Sequence, residues 1–487
     1  MNKLLLVILL VIHLGFHAFS QLSGNELIIA NDTVDEYFGS LSRVNEEIFC
    51  LYSSQYDVGP PAQFQSRLLK LYLNGDTVWL DFAKQDSIIH FLDMIVNNIG
   101  NLVLVGNIYI EQNGTEIKKQ WFCEVTPDLS IIWENGVYCE HDSVYTYNSR
   151  IGQSYNGSYI YVANMRDKQT FEPYMYSVNI SSTGDSISYH HFDLSVTGRI
   201  NSITSSENCN TLHLVHSDFG SPYHCKLFMI DSNFNTLSFI PYPIYTYNDP
   251  FYTIKGFSEN SYISFGRYWF LGEYYLKAIV FDTTNGVHLN NNYTSGEDYV
   301  YPAWAQGIDY YYDNLIFVTG MFNVQSMWPD FPNEFYIACL NGELNLVHEE
   351  ILGGDFYYNI DNISATSDGG VVVAGSIYDP GSNSYQQDAY LIRIDSLFFV
   401  GQNENNNISP ITRLEIFPNP GHNILNLKMG ENISHVEIFN TTGQIVHSVL
   451  INSKDYQVNV SNWPSGIYFI KRIAPQSQIL LNKFVKL

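Results

Sequence analysis

Residues 366–379 read T-S-D-G-G-V-V-V-A-G-S-I-Y-D, and after a polar gap residues 388–395 read D-A-Y-L-I-R-I-D. The Gly369-Gly370 pair suits a turn, because glycine reaches backbone conformations closed to other residues. Val371, Val372 and Val373 then favour a strand, which stops at Gly375. In the second segment Tyr390, Ile392 and Ile394 share one face of a strand, and Ala389, Leu391 and Arg393 share the other. Arg393 predicts that its face reaches solvent at that end.

The same grammar recurs upstream. N-L-V-L-V-G from Asn101 is followed by W-F-C-E-V-T-P-D from Trp121, and G-S-Y-I-Y-V-A-N from Gly157 by Y-M-Y-S-V-N from Tyr174. T-L-H-L-V-H from Thr211 pairs with C-K-L-F-M-I-D from Cys225, and S-Y-I-S-F-G from Ser261 with L-K-A-I-V-F-D from Leu276. N-L-I-F-V-T-G from Asn314 goes with E-F-Y-I-A-C-L-N from Glu334, and the weakest copy, E-I-F-C-L-Y from Glu47, with R-L-L-K-L-Y from Arg67. The seven copies are spaced by about 50 to 57 residues, the length of a four-stranded propeller blade with generous loops. One blade cannot bury both of its faces; radial stacking buries them, and closing the ring protects the ends. The expectation is an all-β chain with a seven-bladed β-propeller (six to eight blades) over residues 21–400. A string of β-sandwiches would repeat at roughly 90 to 100 residues instead.

Composition agrees. The chain has 37 Tyr and 30 Phe but only 15% charged residues, and long stretches of helical apolar spacing are missing. The net charge of −26 is uneven: residues 21–411 hold 15 basic and 45 acidic side chains, and residues 412–487 hold 7 and 4. An acidic body excludes nucleic acid as a partner, since phosphate binding needs a basic footprint. It also disfavours anionic lipid, and it supports solubility by mutual repulsion.

The ends of the chain carry targeting signals. Lys3 precedes an apolar run from Leu4 to Ile12, and small residues stand at Ala18 and Ser20. This is the layout of a signal peptide over residues 1–20, cut after Ser20 and too short to span a bilayer. No later stretch is long and apolar enough to span, so no integral membrane segment is expected after cleavage. Residues 401–411, G-Q-N-E-N-N-N-I-S-P-I, read as a solvated linker. From Thr412 short strands recur every 8 to 12 residues, separated by turn signals at Pro418-Asn419-Pro420, Thr442-Gly443 and Pro464-Ser465-Gly466, which predicts a small Ig-like β-sandwich.

Residues 412–487 closely resemble the type A sorting domain of the type IX (Por) secretion system of Bacteroidetes. The resemblance rests on Phe417-Pro418-Asn419-Pro420, the alternating strand Ile424 to Leu427, and Val436-Glu437-Ile438-Phe439-Asn440 with Gly443. It continues through Ser465-Gly466-Ile467-Tyr468 and ends on Lys483-Phe484-Val485-Lys486. It implies export to the periplasm, handling by a type IX translocon, and removal of the module by a sortase-like peptidase. The cargo is then secreted or attached to the outer cell surface. Gly443 and Gly466 suit turns needing φ > 0, and Pro418 and Pro420 fix the entering chain. Lys483 and Lys486, on an alternating strand, are candidates for exposed recognition. Several triplets, including Asp32-Thr33-Val34, Asp76-Thr77-Val78, Asp185-Ser186-Ile187 and Asp395-Ser396-Leu397, resemble the O-glycosylation sequence of exported proteins in that phylum; a turn leading into a strand gives the same letters.

Six cysteines follow the signal peptide. Cys123 with Cys139, and Cys209 with Cys225, share a separation of 16 and are candidate disulfides in an oxidising compartment. Cys50 and Cys339 fall in apolar strand patterns and are expected to be buried thiols. No residue is assigned a catalytic role: G-x-S-x-G, H-E-x-x-H and P-loop patterns are all missing. No metal or cofactor is expected, since there is no calcium loop of the D-x-D-x-D-G kind and no Cys/His cluster with zinc spacing. His190, His191, His213, His216 and His224 are the densest histidines, but His213 and His216 stand three apart on a predicted strand and so face opposite sides.

Aromatic groups at Tyr245-Thr246-Tyr247, Tyr310-Tyr311-Tyr312 and Trp328-Pro329 are of a type that stacks on sugar rings. The resulting reading is a non-enzymatic binding platform for a glycan or protein ligand. The alternative is a secreted hydrolase or lyase acting on polysaccharide or protein, with carboxylates converging in the propeller channel.

Overall fold

The computed structural model describes residues 18–394 and 414–486. Exceptions in the first span are position 74 and the segments 23–25, 31–33, 57–62, 83–86, 113–114, 139–143, 155–156, 168–172, 193–197, 206–211, 219–223, 232–235, 242–250, 259–260, 271–272, 283–285, 294–299, 313–314, 325–330 and 382–385. Exceptions in the second are 418–420, 430–433, 441–443, 452, 454 and 474–478. The chain divides into two compact units, Met1–Ile394 and Asp395–Leu487.

Every regular element described is a β-strand. In the first unit the described residues form seven antiparallel sheets. The second sheet is representative: Ser87–Val96, Leu102–Gln112, Thr115–Val125 and Ile131–Tyr138 lie side by side in chain order. The sheets beginning at Val34, Val144, Gly198 and Phe251 repeat that order. In the sixth, Tyr301–Pro302 and Ile308–Tyr312 share the first position, both pairing with Leu315–Phe322. Each of the seven sequence copies quoted above supplies the second and third strands of one sheet.

The first strand of each sheet packs on that of the next. Tyr357–Ala365, from the last sheet, packs on Val34–Val44, from the first, and so completes a ring. The chain is therefore an all-β propeller. Its last blade contains Tyr357–Ala365, Val371–Tyr378 and Gln387–Ile394, and is finished by Glu26–Ala30 from the other end of the chain. Ala18–Leu22 adds a fifth strand outside that one. Three of its residues, Ala18 to Ser20, belong to the segment read as signal peptide, whose first 17 residues lie outside the described residues.

The apolar runs follow from this stacking. Leu102 and Leu104 pack with Phe49 and Leu51 of the first blade, while Val103 and Val105 pack with Tyr159 and Tyr161 of the third. Both faces of one strand are thus buried, so the strand is apolar at successive positions rather than alternately. Each such side chain contributes about 1.5 to 3 kcal/mol. The seam is sealed the same way: Val372, Ala374, Ala389 and Leu391 share one cluster with Phe38, Leu41, Ile48 and Tyr52. Arg393 ion-pairs with Asp368 in the Asp-Gly-Gly turn.

Tight five-residue turns recur at one end of the blades. In Asn97–Asn101, Ser154–Ser158, Thr366–Gly370, Thr126–Ser130 and Ser181–Asp185 the first N–H donates to the fifth carbonyl over 2.8–2.9 Å. Their fourth residues, Gly100, Gly157, Gly369, Leu129 and Gly184, have φ between +63° and +89°, which explains the glycine at four of them. Antiparallel order sends these turns to one end of the ring. The second-to-third-strand loops and the blade-to-blade connections go to the other, here called the connection end.

Of the candidate disulfides, Cys123 lies on Thr115–Val125 and Cys225 on His224–Ile230, while their intended partners Cys139 and Cys209 lie outside the described residues. Cys50, Cys123 and Cys339 are buried.

The second unit has two sheets. Leu414–Phe417, Ile424–Met429 and Asp455–Asn459 form one; Ile445–Ile451, Ser434–Asn440, Gly466–Ile473 and Ile479–Lys486 form the other. Leu425, Leu427 and Val458 of the first share a core with Val436, Ile438, Ile470 and Phe484 of the second. Lys486 corrects an expectation. It is only 7% exposed and its backbone bridges to Gly421, so the last strand is covered where exposure was expected.

Candidate functional site

The innermost strand of most blades carries a β-bulge. The register slips between Phe38 and Leu41, Phe91 and Asp93, Tyr147 and Ser149, Ile200 and Ser202, Phe251 and Thr253, and Ile360 and Asn362. A bulge bends its strand and re-aims side chains. It also explains a recurrent glycine. Gly106 and Gly375 stand opposite the bulges, and a Cβ there would lie 2.4 Å from the His90 carbonyl oxygen and 2.1 Å from that of Asn359.

From the bulges a circuit of polar bonds passes from each innermost strand to the next. Ser40 Oγ donates to the Met94 carbonyl (3.3 Å), and the Ile151 N–H donates to Asp93 Oδ2 (3.1 Å). Arg150 Nε donates to the Asn201 carbonyl (2.7 Å), and Ser202 Oγ to that of Ile254 (3.3 Å). The Gly307 N–H donates to Thr253 Oγ1 (2.9 Å), while Lys255 pairs with Asp309 at 2.7 Å. The Ala305 and Gln306 N–H groups donate to the Asp361 carbonyl, and the Ala365 N–H to Asp309 Oδ2 (2.8 Å). Asn362 Nδ2 donates to the Gly39 carbonyl (2.7 Å) and returns the circuit to the first blade. Breaking one such buried link costs about 1 to 3 kcal/mol.

Inside this circuit lies a mixed group of ionisable side chains on the ring axis. At the turn end, Arg43 stacks over the Tyr311 ring at 4.4 Å and donates to the Ala365 carbonyl (2.6 Å), joining the first blade to the sixth across the seventh. At mid-height, Arg150 of the third blade acts electrostatically on Asp93 of the second and on Asp361 of the seventh. Toward the connection end, Tyr37 and His90 share a hydrogen bond between the first and second blades. Burial pushes the Tyr37 hydroxyl well above its ordinary range, with Asp361 adding to the effect.

Asp361 differs from the other two acids. Asp93 accepts an amide N–H, and Asp309 has both Lys255 and an amide. Among the described residues nothing hydrogen-bonds or ion-pairs with the Asp361 carboxylate. Asp361 is half-buried. Burial pushes its carboxyl up to about 7, against the opposing pull of Arg150.

Of the aromatic groups, one lies among the described residues. Tyr310 and Tyr311 lie on Ile308–Tyr312 of the sixth blade, where the Tyr310 hydroxyl donates to the Gly256 carbonyl. Tyr245-Thr246-Tyr247 and Trp328-Pro329 lie outside the described residues. His213 and His216 lie on Leu212–Asp218. Among the described residues no three His, Cys, Asp or Glu side chains converge to hold a metal. Of the triplets, Asp76-Thr77 and Asp185-Ser186 are exposed and open the fourth strands of the first and third blades.

In the second unit the Tyr468 hydroxyl donates to the Pro464 carbonyl (2.8 Å), and its ring packs on Trp463 at 4.9 Å and on the buried Phe484. Gly466 opens its strand just after the Pro464-Ser465 turn at φ +158°, a positive value as expected for it. Pro418, Asn419, Pro420 and Gly443 lie outside the described residues, as does the side chain of Lys483. Ile445, Val446 and Leu450 are exposed on the edge strand Ile445–Ile451.

Residues 415–486 match the family described as the secretion system C-terminal sorting domain. No curated protein matches the chain. Among solved structures, a protein of unknown function from Dyadobacter fermentans is 12% identical, with 77% of this chain and 100% of that one covered at a TM-score of 0.40. PorZ, a surface component of the type IX secretion system of Porphyromonas gingivalis, is 9% identical, covering 97% and 86% at a TM-score of 0.24. The β-propeller domain of the trilobed protease from Pyrococcus furiosus is 9% identical, covering 75% and 96% at 0.39.

Proposed function

We propose, for a chain that ends in a type IX sorting domain, that the signal peptide takes it to the periplasm and the sorting module takes it through the outer membrane. There the module is removed and the ring serves as a rigid binding platform. The observation that carries the platform reading is the circuit of inter-blade bonds. Asp93, Arg150, Lys255 and Asp309 hold neighbouring blades together, while among the described residues the Asp361 carboxylate has no hydrogen bond or close ion pair and feels Arg150 at longer range. Carboxylate-pair hydrolysis asks for two acids at the reacting bond. The connection end, with its longer loops, is the ligand face.

Deleting residues 412–487 tests the export half. The truncated chain is expected to accumulate in the periplasm, and normal levels in the medium would defeat it. A glycan and protein array probed with the intact exported chain tests the platform half. Turnover of an arrayed polysaccharide, abolished by Asp361→Asn, would replace binding with hydrolysis.

A further inference from the structure

We propose that the edge strand Ile445–Ile451 of the second unit pairs antiparallel with the same strand of a second copy of this chain. Such a partner belongs to neither the export nor the platform reading. In its four-stranded sheet this strand is outermost, and among the described residues it pairs only with Ser434–Asn440. Its outer row of N–H and C=O groups is a template for another strand. The two edges of the sheet differ. At the far one, Lys486 of Ile479–Lys486 bridges to Gly421 and is covered. At the near one, Ile445 is 54% exposed, Val446 38% and Leu450 61%. Edge strands are ordinarily guarded by lysine, proline or an inward-pointing charge, and Ile-Val-His-Ser-Val-Leu-Ile has none of these. His447 lies against Tyr456 and Trp463, where burial pushes its imidazole below the ordinary range, so the strand is uncharged at neutral pH.

The strand is also its own complement. A two-fold axis at Ser448 sets Ile445 against Ile451, Val446 against Leu450 and His447 against Val449, with Ser448 facing its own copy. Val446, Ser448 and Leu450 share the outer face, and His447 and Val449 the core side. This register joins outer face to outer face, and so extends two four-stranded sheets into one. A slip of one residue would set the outer row against the core-side row. Another exposed edge fails the same test. Leu346–Gly353, the outer strand of the sixth blade, exposes Leu346, Val347 and Ile351, but Glu349 and Glu350 stand at its centre. Centred self-pairing there sets glutamate opposite glutamate, which like charge disfavours.

Sedimentation velocity of the chain from Gln21 to Leu487, with the sorting unit attached, tests this. A contact this small is transient, so dimer is expected to appear as concentration rises over roughly 1 to 100 μM. Ser448→Lys opposes two like charges at the two-fold axis while facing Glu437 within its own chain. It is expected to weaken the dimer about tenfold or more and to leave the melting temperature unchanged. Ser448→Glu should weaken it likewise, and an equimolar mixture of the two variants should restore a mixed dimer, which a purely structural role for Ser448 does not predict. Ile351→Lys, on the sixth blade, should leave the dimer as it is. A wild-type chain that stays monomeric throughout that range, or a dimer that Ser448→Lys leaves intact, overturns the inference. Export lost in Ser448→Lys, from a wild-type chain that never dimerises, would overturn it in favour of pairing with the translocon.

Discussion

Gly375→Ala is the sharpest test of the bulged inner ring. A methyl group on Gly375 would lie 2.1 Å from the Asn359 carbonyl oxygen, 3.1 Å from its carbon and 3.0 Å from Ile360 Cα. All three are backbone atoms, so no rotamer relieves the clash. The bulge must move about 1 Å from its position against the first blade, where Asn362 bonds to the Gly39 carbonyl. Overpacking of this kind costs about 1 to 3 kcal/mol, offset by about 0.4 to 1 kcal/mol from the stiffer unfolded chain. Gly136→Ala is the matched control: its added carbon would meet only side-chain atoms, at 3.6 and 3.9 Å. Urea denaturation of the intact protein, followed by tryptophan fluorescence, should show a loss of about 1 to 2 kcal/mol for Gly375→Ala and little change for Gly136→Ala. Equal stabilities for the two variants would refute the argument that the bulge, and not strand propensity, selects glycine here.

Three further outcomes are expected. Asp361 has its folded value raised from 3.8 to about 7, so ionisation is disfavoured in the fold and its contribution to stability is lost as pH rises from about 4 to 7. Asp361→Asn should therefore be more stable than wild type at pH 8 by about 2 to 4 kcal/mol, with the gap closing near pH 4; parallel pH profiles would contradict this. Non-reducing peptide mapping should find Cys50 and Cys339 unlinked, since both thiols are buried, and a linked fragment containing either would contradict their placement. Thr253→Val removes the hydroxyl that accepts the Gly307 N–H and should destabilise by about 1 to 3 kcal/mol in denaturant titration; an unchanged midpoint would mean that water replaces it.

The fold was legible because its cause is local. Leu102 to Val105 are apolar at successive positions since blades cover both faces, and the terminal Gly106 records a carbonyl that has moved in opposite it. The axial group was not legible. Arg150, Asp361 and Tyr37 come from the third, seventh and first blades, and no spacing along the chain reports a meeting across a ring. Lys486 misled because alternation predicts which side a residue takes but not that the Gly421 segment lies over it.

Because Glu26–Ala30 completes the blade built from Tyr357–Ala365, Val371–Tyr378 and Gln387–Ile394, that early strand lacks its Gln387–Ile394 partner until nearly the last of the ring has been made. The sorting unit begins at the very next residue, Asp395. A ribosome that stops early therefore releases a product with neither clasp nor shipping label. Only full-length molecules acquire both, so completeness is checked by the order in which the parts are written.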